Sequence, residues 1–278
     1  MRKIKIVADS SCDLFSLESI DFSCAAMKII TDEKEFVDDN SLQVDDMVSF
    51  LYQYKGKSKS SCPNTNDWLD AFDDADDIFC VTITSGLSGS YNSACLAKKM
   101  YESENEGKRV HVFDSLSAGP EVTLIIEKIA DCIKSGMEYE EIVTSVTEYM
   151  KKTGLVFMLK SLKNFANNGR ISPVVAKLVG IAGICIVGKA STEGTLEPMH
   201  KCRGEKHSLK TLITSLSSEG FSSGKISIGH CQNEASAEQL KNMILEKFEN
   251  VQIEIHNLKG LCSFYAEKGG ILVGFEKA

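Results

Sequence analysis

At 278 residues, 43% hydrophobic and 25% charged, the chain is long enough for one large domain or two of ordinary size, each burying a core. A formal charge of −8 and a pI near 5.3 argue against a nucleic acid or an anionic membrane as partner, since both call for a basic field and no Lys/Arg stripe supplies one. The ten cysteines include no Cys-x-x-Cys pair, and several sit inside apolar runs such as Phe79-Cys80-Val81 and Ile184-Cys185-Ile186, so they read as reduced structural thiols.

The opening Met1-Arg-Lys-Ile-Lys-Ile-Val-Ala-Asp9 reads as a strand over residues 4–8 rather than a leader peptide. With no apolar run near the roughly 20 residues that span a bilayer, the expectation is a cytoplasmic protein without an integral membrane segment. Val44, Met47, Val48 and Leu51 then fall on one helical face. The acidic stretch 67–77 puts Asp70, Asp73, Asp74 and Asp77 opposite Trp68 and Phe72, which predicts a solvated helix face; a calcium loop would need a central glycine and alternating ligands. An apolar strand over 78–83 runs through a Gly/Ser loop into a helix over 92–101, and a further strand follows at 110–113. Val122, Ile125, Ile126, Ile129 and Ile133 form one helical stripe, and Ile142, Val143, Val146 and Met150 another.

A polar seam at Lys151-Lys-Thr-Gly154 suggests domains of 1–153 and 154–278. The second half reads as strands at 156–159, 226–229, 251–255 and 271–275, with helical stripes at Leu209–Leu216 and Leu240–Phe248. Alternating strands and helices predict an α/β fold, mostly parallel in the first domain. The last two strands show no helix between them, which predicts a mixed sheet in the second. His200, Cys202 and His207 lack zinc-site spacing, so no metal is expected.

Three strand ends carry hydroxyl or acidic residues: Asp9-Ser10-Ser11, the loop Thr84-Ser85-Gly86-Leu87-Ser88-Gly89-Ser90, and Asp114-Ser115. Ligands of open α/β sheets collect beyond the carboxyl ends of strands, although Asp9 and Asp114 alone suit turns or helix caps. The loop points backbone N–H groups at one spot, which suits a phosphate, a carboxylate or a developing oxyanion. It is not the G-x-S-x-G turn of a hydrolase, nor a P-loop, nor G-x-G-x-x-G. His230, at the end of a strand, reads as structural. A second anion-seeking element is Asn167-Asn168-Gly169-Arg170-Ile171-Ser172-Pro173. Its glycine suits a tight turn, Ser172-Pro173 suits a helix start, and a pinned guanidinium at Arg170 matches a carboxylate or phosphate.

Several of these segments, in order, resemble the DegV family over nearly the whole length. They are Asp9-Ser10 with Asp13-Leu14; Ser60-Ser61-Cys62-Pro63 against T-S-Q-P; Ser85 to Ala94 against S-x-L-S-G-T-Y-x-S-A; Asp114-Ser115; and Gly169-Arg170-Ile171-Ser172 within G-G-R-I-S, followed by Arg203-Gly204 and Gly229-His230. The resemblance implies a two-domain fatty-acid-binding protein, not an enzyme, that uses no cofactor. A long-chain fatty acid lies between the domains and is presented to a separate fatty acid kinase for acyl-phosphate formation in phospholipid metabolism. Carried over, Ser60, Ser61, Ser88, Gly89 and Arg170 hold the carboxylate. Where the family has G-T-H-x-G-P-G, this chain reads Gly260 to Gly270 with Cys262 at the histidine position, so Cys262 joins the ligand-binding set, and Ser263 or Tyr265 is a candidate substitute donor. Asn168 replaces a glycine, and Ser60 and Cys62 replace threonine and glutamine. Two alternatives stay open: a Ser88-dependent acyl esterase or transferase, and a carrier of a different anionic small molecule.

Overall fold

The computed structural model describes residues 2–172, 175 and 183–278. Strands β1 (Ile4–Asp9), β2 (Asp21–Ala25), β6 (Asp77–Thr82) and β7 (Arg109–Asp114) form a parallel sheet in the order β2-β1-β6-β7. All six residues of β6 are buried, as a central parallel strand covered on both faces requires. Its alternation sorts them: Ile78 and Cys80 face Trp68 and Phe72 of α2 (Thr65–Phe72) and Ala94 and Ala97 of α3 (Ser90–Glu104). Phe79 and Val81 face Ile125 and Ile129 of α4 (Pro120–Lys134) and Ile142 and Val146 of α5 (Tyr139–Met150).

From Thr153 onward the chain builds a second, six-stranded sheet. Its members are β8 (Thr153–Leu159), β9 (Ile184–Ala190), β10 (Leu196–Arg203), β11 (Gly224–His230), β12 (Val251–Asn257) and β13 (Ile271–Glu276), ordered β10-β9-β8-β13-β11-β12. It is mixed: β11 and β12 pair in parallel and the other neighbours pair antiparallel. Leu209, Leu212 and Leu216 of α7 (Glu205–Ser218) and Leu240 and Ile244 of α8 (Glu234–Lys247) cover one face. Helix α4 joins the two sheets, where buried Glu121 accepts a 2.7 Å hydrogen bond from Thr153 Oγ1. A small antiparallel sheet of β3 (Lys28–Ile30), β4 (Glu35–Val37) and β5 (Lys59–Ser61) sits beside them and pairs Ser60 with Ile29. Helix α1 (Val44–Gln53) follows β4.

Two expectations need correction. The second half is mixed, but a short helix, α9 (Gly260–Ala266), does separate its last two strands. The acidic stretch is not one helix: α2 stops at Phe72, Asp73 turns the chain at φ 54°, and Asp77 enters β6 only 4% exposed. There it accepts hydrogen bonds from Arg2 at 2.7 and 2.9 Å and from Arg109 at 2.7 and 2.9 Å. Burial pushes the Asp77 carboxyl up, but the two guanidinium groups outweigh it and hold it below its ordinary range. All ten cysteines are unpaired. Among the described residues no helix is long and apolar enough to cross a membrane, and no cluster of three His, Cys, Asp or Glu side chains is placed to hold a metal.

Candidate functional site

The Gly/Ser loop between β6 and α3 is pinned from beneath by one carboxylate. Asp9, with no solvent exposure, accepts hydrogen bonds from Ile83 N at 2.9 Å and Ser90 Oγ at 2.6 Å through one oxygen. Its other oxygen accepts from Ser11 N and Ser11 Oγ. Burial raises the Asp9 carboxyl, and these hydrogen bonds pull it back. Asp114 fixes the outer side by accepting from Ser85 N at 3.0 Å and Leu116 N at 3.2 Å. Thr84 turns the loop through its carbonyl, which accepts from Leu87 N and Ser88 N, and its hydroxyl, which accepts from Gly86 N. Asp9 and Asp114 therefore serve the loop as scaffold, in line with the cap and turn roles open to them from sequence. Ser88 is left half-buried at the mouth of α3, with its Oγ accepting from Ser90 N at 3.2 Å.

Arg170 arrives from the opposite side. Helix α6 (Lys163–Asn167) ends in Gly169 at φ +66°, a left-handed turn that glycine adopts without a Cβ penalty. Arg170 N then donates to Phe165 O at 2.9 Å, and its Nη1 donates to Asn168 O at 3.0 Å. Among the described residues no carboxylate pairs with this guanidinium. Asn168, in place of the family glycine, stitches α6 to β5: Ser60 N donates to its Oδ1 at 3.2 Å, and its Nδ2 donates to Ser58 O at 3.2 Å. Ser172 Oγ accepts from Val175 N at 3.3 Å, which fits the expected helix cap, while Pro173 lies outside the described residues.

The third wall is α9, and here the two candidate donors separate. Ser263 spends its hydroxyl on Leu258 O at 2.9 Å. Tyr265 instead faces the cavity, with its hydroxyl 2.7 Å from Ser60 Oγ. Burial raises the Tyr265 phenol, and the Ser60 hydrogen bond and the Arg170 charge lower it in part. Cys262 also touches the cavity, but its thiol donates to Ser11 O at 3.4 Å. Burial first, then the Asp13 and Asp38 carboxyls, push that thiol well above its ordinary range, so it is a neutral packing group rather than a reactive thiolate.

Ser60, Ser61, Ser88, Gly89, Arg170 and Cys262 all line one cavity of about 310 Å³. The rest of its wall is largely apolar: Met27 and Ile83 from the first half, Leu155, Phe157 and Leu159 from β8, and Phe165 from α6. The β9–β10 hairpin closes it from above. Gly194 at its tip, φ +70°, lies so close to Thr84 Oγ1 that any side chain there would collide with the loop.

A family profile described as an uncharacterised protein of the DegV family matches residues 3–278. The chain belongs to the DegV family. A DegV domain-containing protein of Streptococcus pneumoniae is 44% identical over 276 residues, 98% of each chain. The structure of the fatty acid kinase (Fak) B3 protein of Streptococcus pneumoniae, loaded with linoleic acid, is similar at a TM-score of 0.97 and 43% identity, over 99% of this chain and 100% of that one. A DegV family protein from Eubacterium eligens loaded with heptadecanoic acid is similar at a TM-score of 0.96 and 42% identity, with the same coverage.

Within this DegV chain the particular residues of the apolar lining, and the hairpin, were the parts not singled out from sequence. Phe157 and Leu159 alternate with Val156 and Met158, so a period-2 reading of β8 could have marked two faces, one for α7 and one for the cavity. Nothing local marks the hairpin tip as a cavity wall.

Proposed function

We propose that the protein binds a long-chain fatty acid in this cavity and presents it to a separate fatty acid kinase. The observation that carries the reading is a single pocket, apolar along most of its wall, into which Ser60, Tyr265, Ser88 and Arg170 all face, the last with no carboxylate partner among the described residues. Its 310 Å³ lies at the low end of the roughly 300–1,000 Å³ of small-molecule sites. A sixteen-carbon tail buried at about 0.8 kcal/mol per methylene supplies roughly 12 kcal/mol of gross driving force. Ordering the chain offsets much of that, so the head-group contacts decide orientation more than affinity.

Ser60, Ser61, Ser88 and Gly89 offer hydroxyl and N–H donors to the carboxylate from the first domain, taken as residues 1–153. Arg170 and Tyr265 close on it from the second, taken as 154–278. Cys262 lines the cavity, but its thiol is spent on Ser11 O rather than offered to the head group. The relatives with bound fatty acids support the ligand class, and the name of Fak B3 supports the kinase partner. Binding is preferred to ester hydrolysis because Arg170 and Lys189 are the charged side chains along the described wall, and neither is a base placed against Ser88. The test is reconstitution with a fatty acid kinase, ATP and palmitate: acyl-phosphate should form only when this protein is added. Release of free acid from an acyl ester by the protein alone, lost in Ser88→Ala, would favour the hydrolase instead.

A further inference from the structure

Helix α9 carries Leu261, Cys262, Tyr265 and Ala266 of the cavity wall, yet it is only seven residues long and has no side-chain cap of its own. Two carboxyl groups from the far end of the sequence hold its start instead. Asp38, just after β4 and with no solvent exposure, accepts from Gly260 N at 2.7 Å through one oxygen and from Leu261 N at 2.8 Å through the other. Asp13, held at φ 57° and 4% exposed, accepts from Lys259 N at 2.7 Å. Its second oxygen, Oδ2, is buried and has no hydrogen-bond partner in the described structure.

We propose that the Asp13–Asp38 pair is a proton-dependent clamp that positions α9, and with it Tyr265, against the ligand head group and so sets how fast the ligand leaves. The ligand half of this statement rests on the fatty-acid reading of the cavity; the clamp itself does not. The titratable groups facing the pair are Lys259, whose Nζ lies over the Phe15 ring, and the thiols of Cys24 and Cys262. Burial pushes Asp13 up to about 8, with the Asp38 charge adding to it and the Lys259 N–H opposing. Burial pushes Asp38 up to about 6 against the N–H groups of Leu261 and Gly260.

Both carboxyls therefore hold protons more tightly when clamped than when exposed, where an aspartate titrates near about 3.9. The clamp is firmest at low pH and weakens as pH rises, through about 6 for Asp38 and through about 8 for Asp13. Between pH 6 and pH 8 only Asp13 of the pair still adds to this weakening.

Two measurements on the full chain test this. Hydrogen exchange at the Gly260 and Leu261 amides, corrected for intrinsic base catalysis, reads the clamp without any ligand. Release of radiolabelled palmitate into excess phosphatidylcholine vesicles reads its consequence. From pH 6 to pH 8 the wild type should lose amide protection and release palmitate faster, on the order of tenfold. Asp13→Asn keeps the acceptor for Lys259 N but cannot ionise, and should stay protected and slow throughout that range. Asp38→Ala should release faster at pH 7, because it leaves Gly260 N and Leu261 N without an acceptor. Wild-type protection independent of pH, or a rise that persists in Asp13→Asn, overturns the clamp. Failure to take up palmitate while the exchange pattern holds overturns the fatty-acid reading and leaves the clamp standing.

Discussion

The Ser/Gly loop and helix α9 both wall the cavity, and buried aspartates hold both. They are held differently. Asp9 lies at the end of β1, in the sheet the loop grows from, and both its oxygens are filled by Ser11, Ile83 and Ser90. Asp13 and Asp38 reach α9 across more than two hundred residues of sequence and leave one oxygen without a partner. Burial raises all three carboxyls, but Asp9, with both oxygens hydrogen-bonded, makes a rigid cradle, whereas Asp13, with one oxygen unfilled, holds its wall less firmly. The loop is the fixed jaw of the site and α9 the adjustable one.

Removing the anchor of the fixed jaw should have the largest effect. Asp9→Ala strands the Ser11, Ile83 and Ser90 donors in the interior and should cost roughly 4 kcal/mol in urea unfolding. Asp38→Ala, which removes the acceptor of two backbone N–H groups at α9, should cost less, about 2–3 kcal/mol in the same measurement. Equal losses would erase the distinction between the jaws.

Much of the fixed jaw was legible in the sequence because its parts are contiguous. The apolar run into β6, the glycines and serines after it, and the start of α3 follow one another, and each carries its own local signal. The adjustable jaw was not legible. Gly260 to Ala266 is only seven residues long and has no cap of its own, because its caps stand at positions 13 and 38. The segment reads as a connection between strands until the tertiary structure supplies those acceptors. Strands β2 and β10 were hidden for another reason: Asp21-Phe-Ser-Cys-Ala25 and Leu196-Glu-Pro-Met-His-Lys-Cys-Arg203 lie at sheet edges and carry polar residues or a proline where central strands are apolar. The acidic stretch misled because Asp77 looks like its neighbours, and only Arg2 and Arg109, distant in sequence, draw it into the sheet. Of the candidate site, the polar residues stood out by type. Tyr265 could be separated from Ser263 only once their hydroxyl partners were visible.

The head group lies between the jaws, and single contacts there should have smaller effects that leave the fold intact. Arg170→Ala should weaken palmitate binding about tenfold, roughly 1.4 kcal/mol, by removing a charged donor from a site dominated by tail burial. Tyr265→Phe removes only a hydroxyl and should weaken it about fivefold, leaving Ser60 Oγ without that partner. Both are read by titration calorimetry on delipidated protein, with unchanged unfolding midpoints as the control.

This cavity is expected to hold a long-chain fatty acid. Native mass spectrometry of the gently purified chain tests it most directly, followed by organic extraction and mass analysis of whatever is released. The expected result is one bound long-chain fatty acid per chain, displaced by added palmitate. A chain that carries no lipid and takes up none when fatty acids are offered would contradict the account.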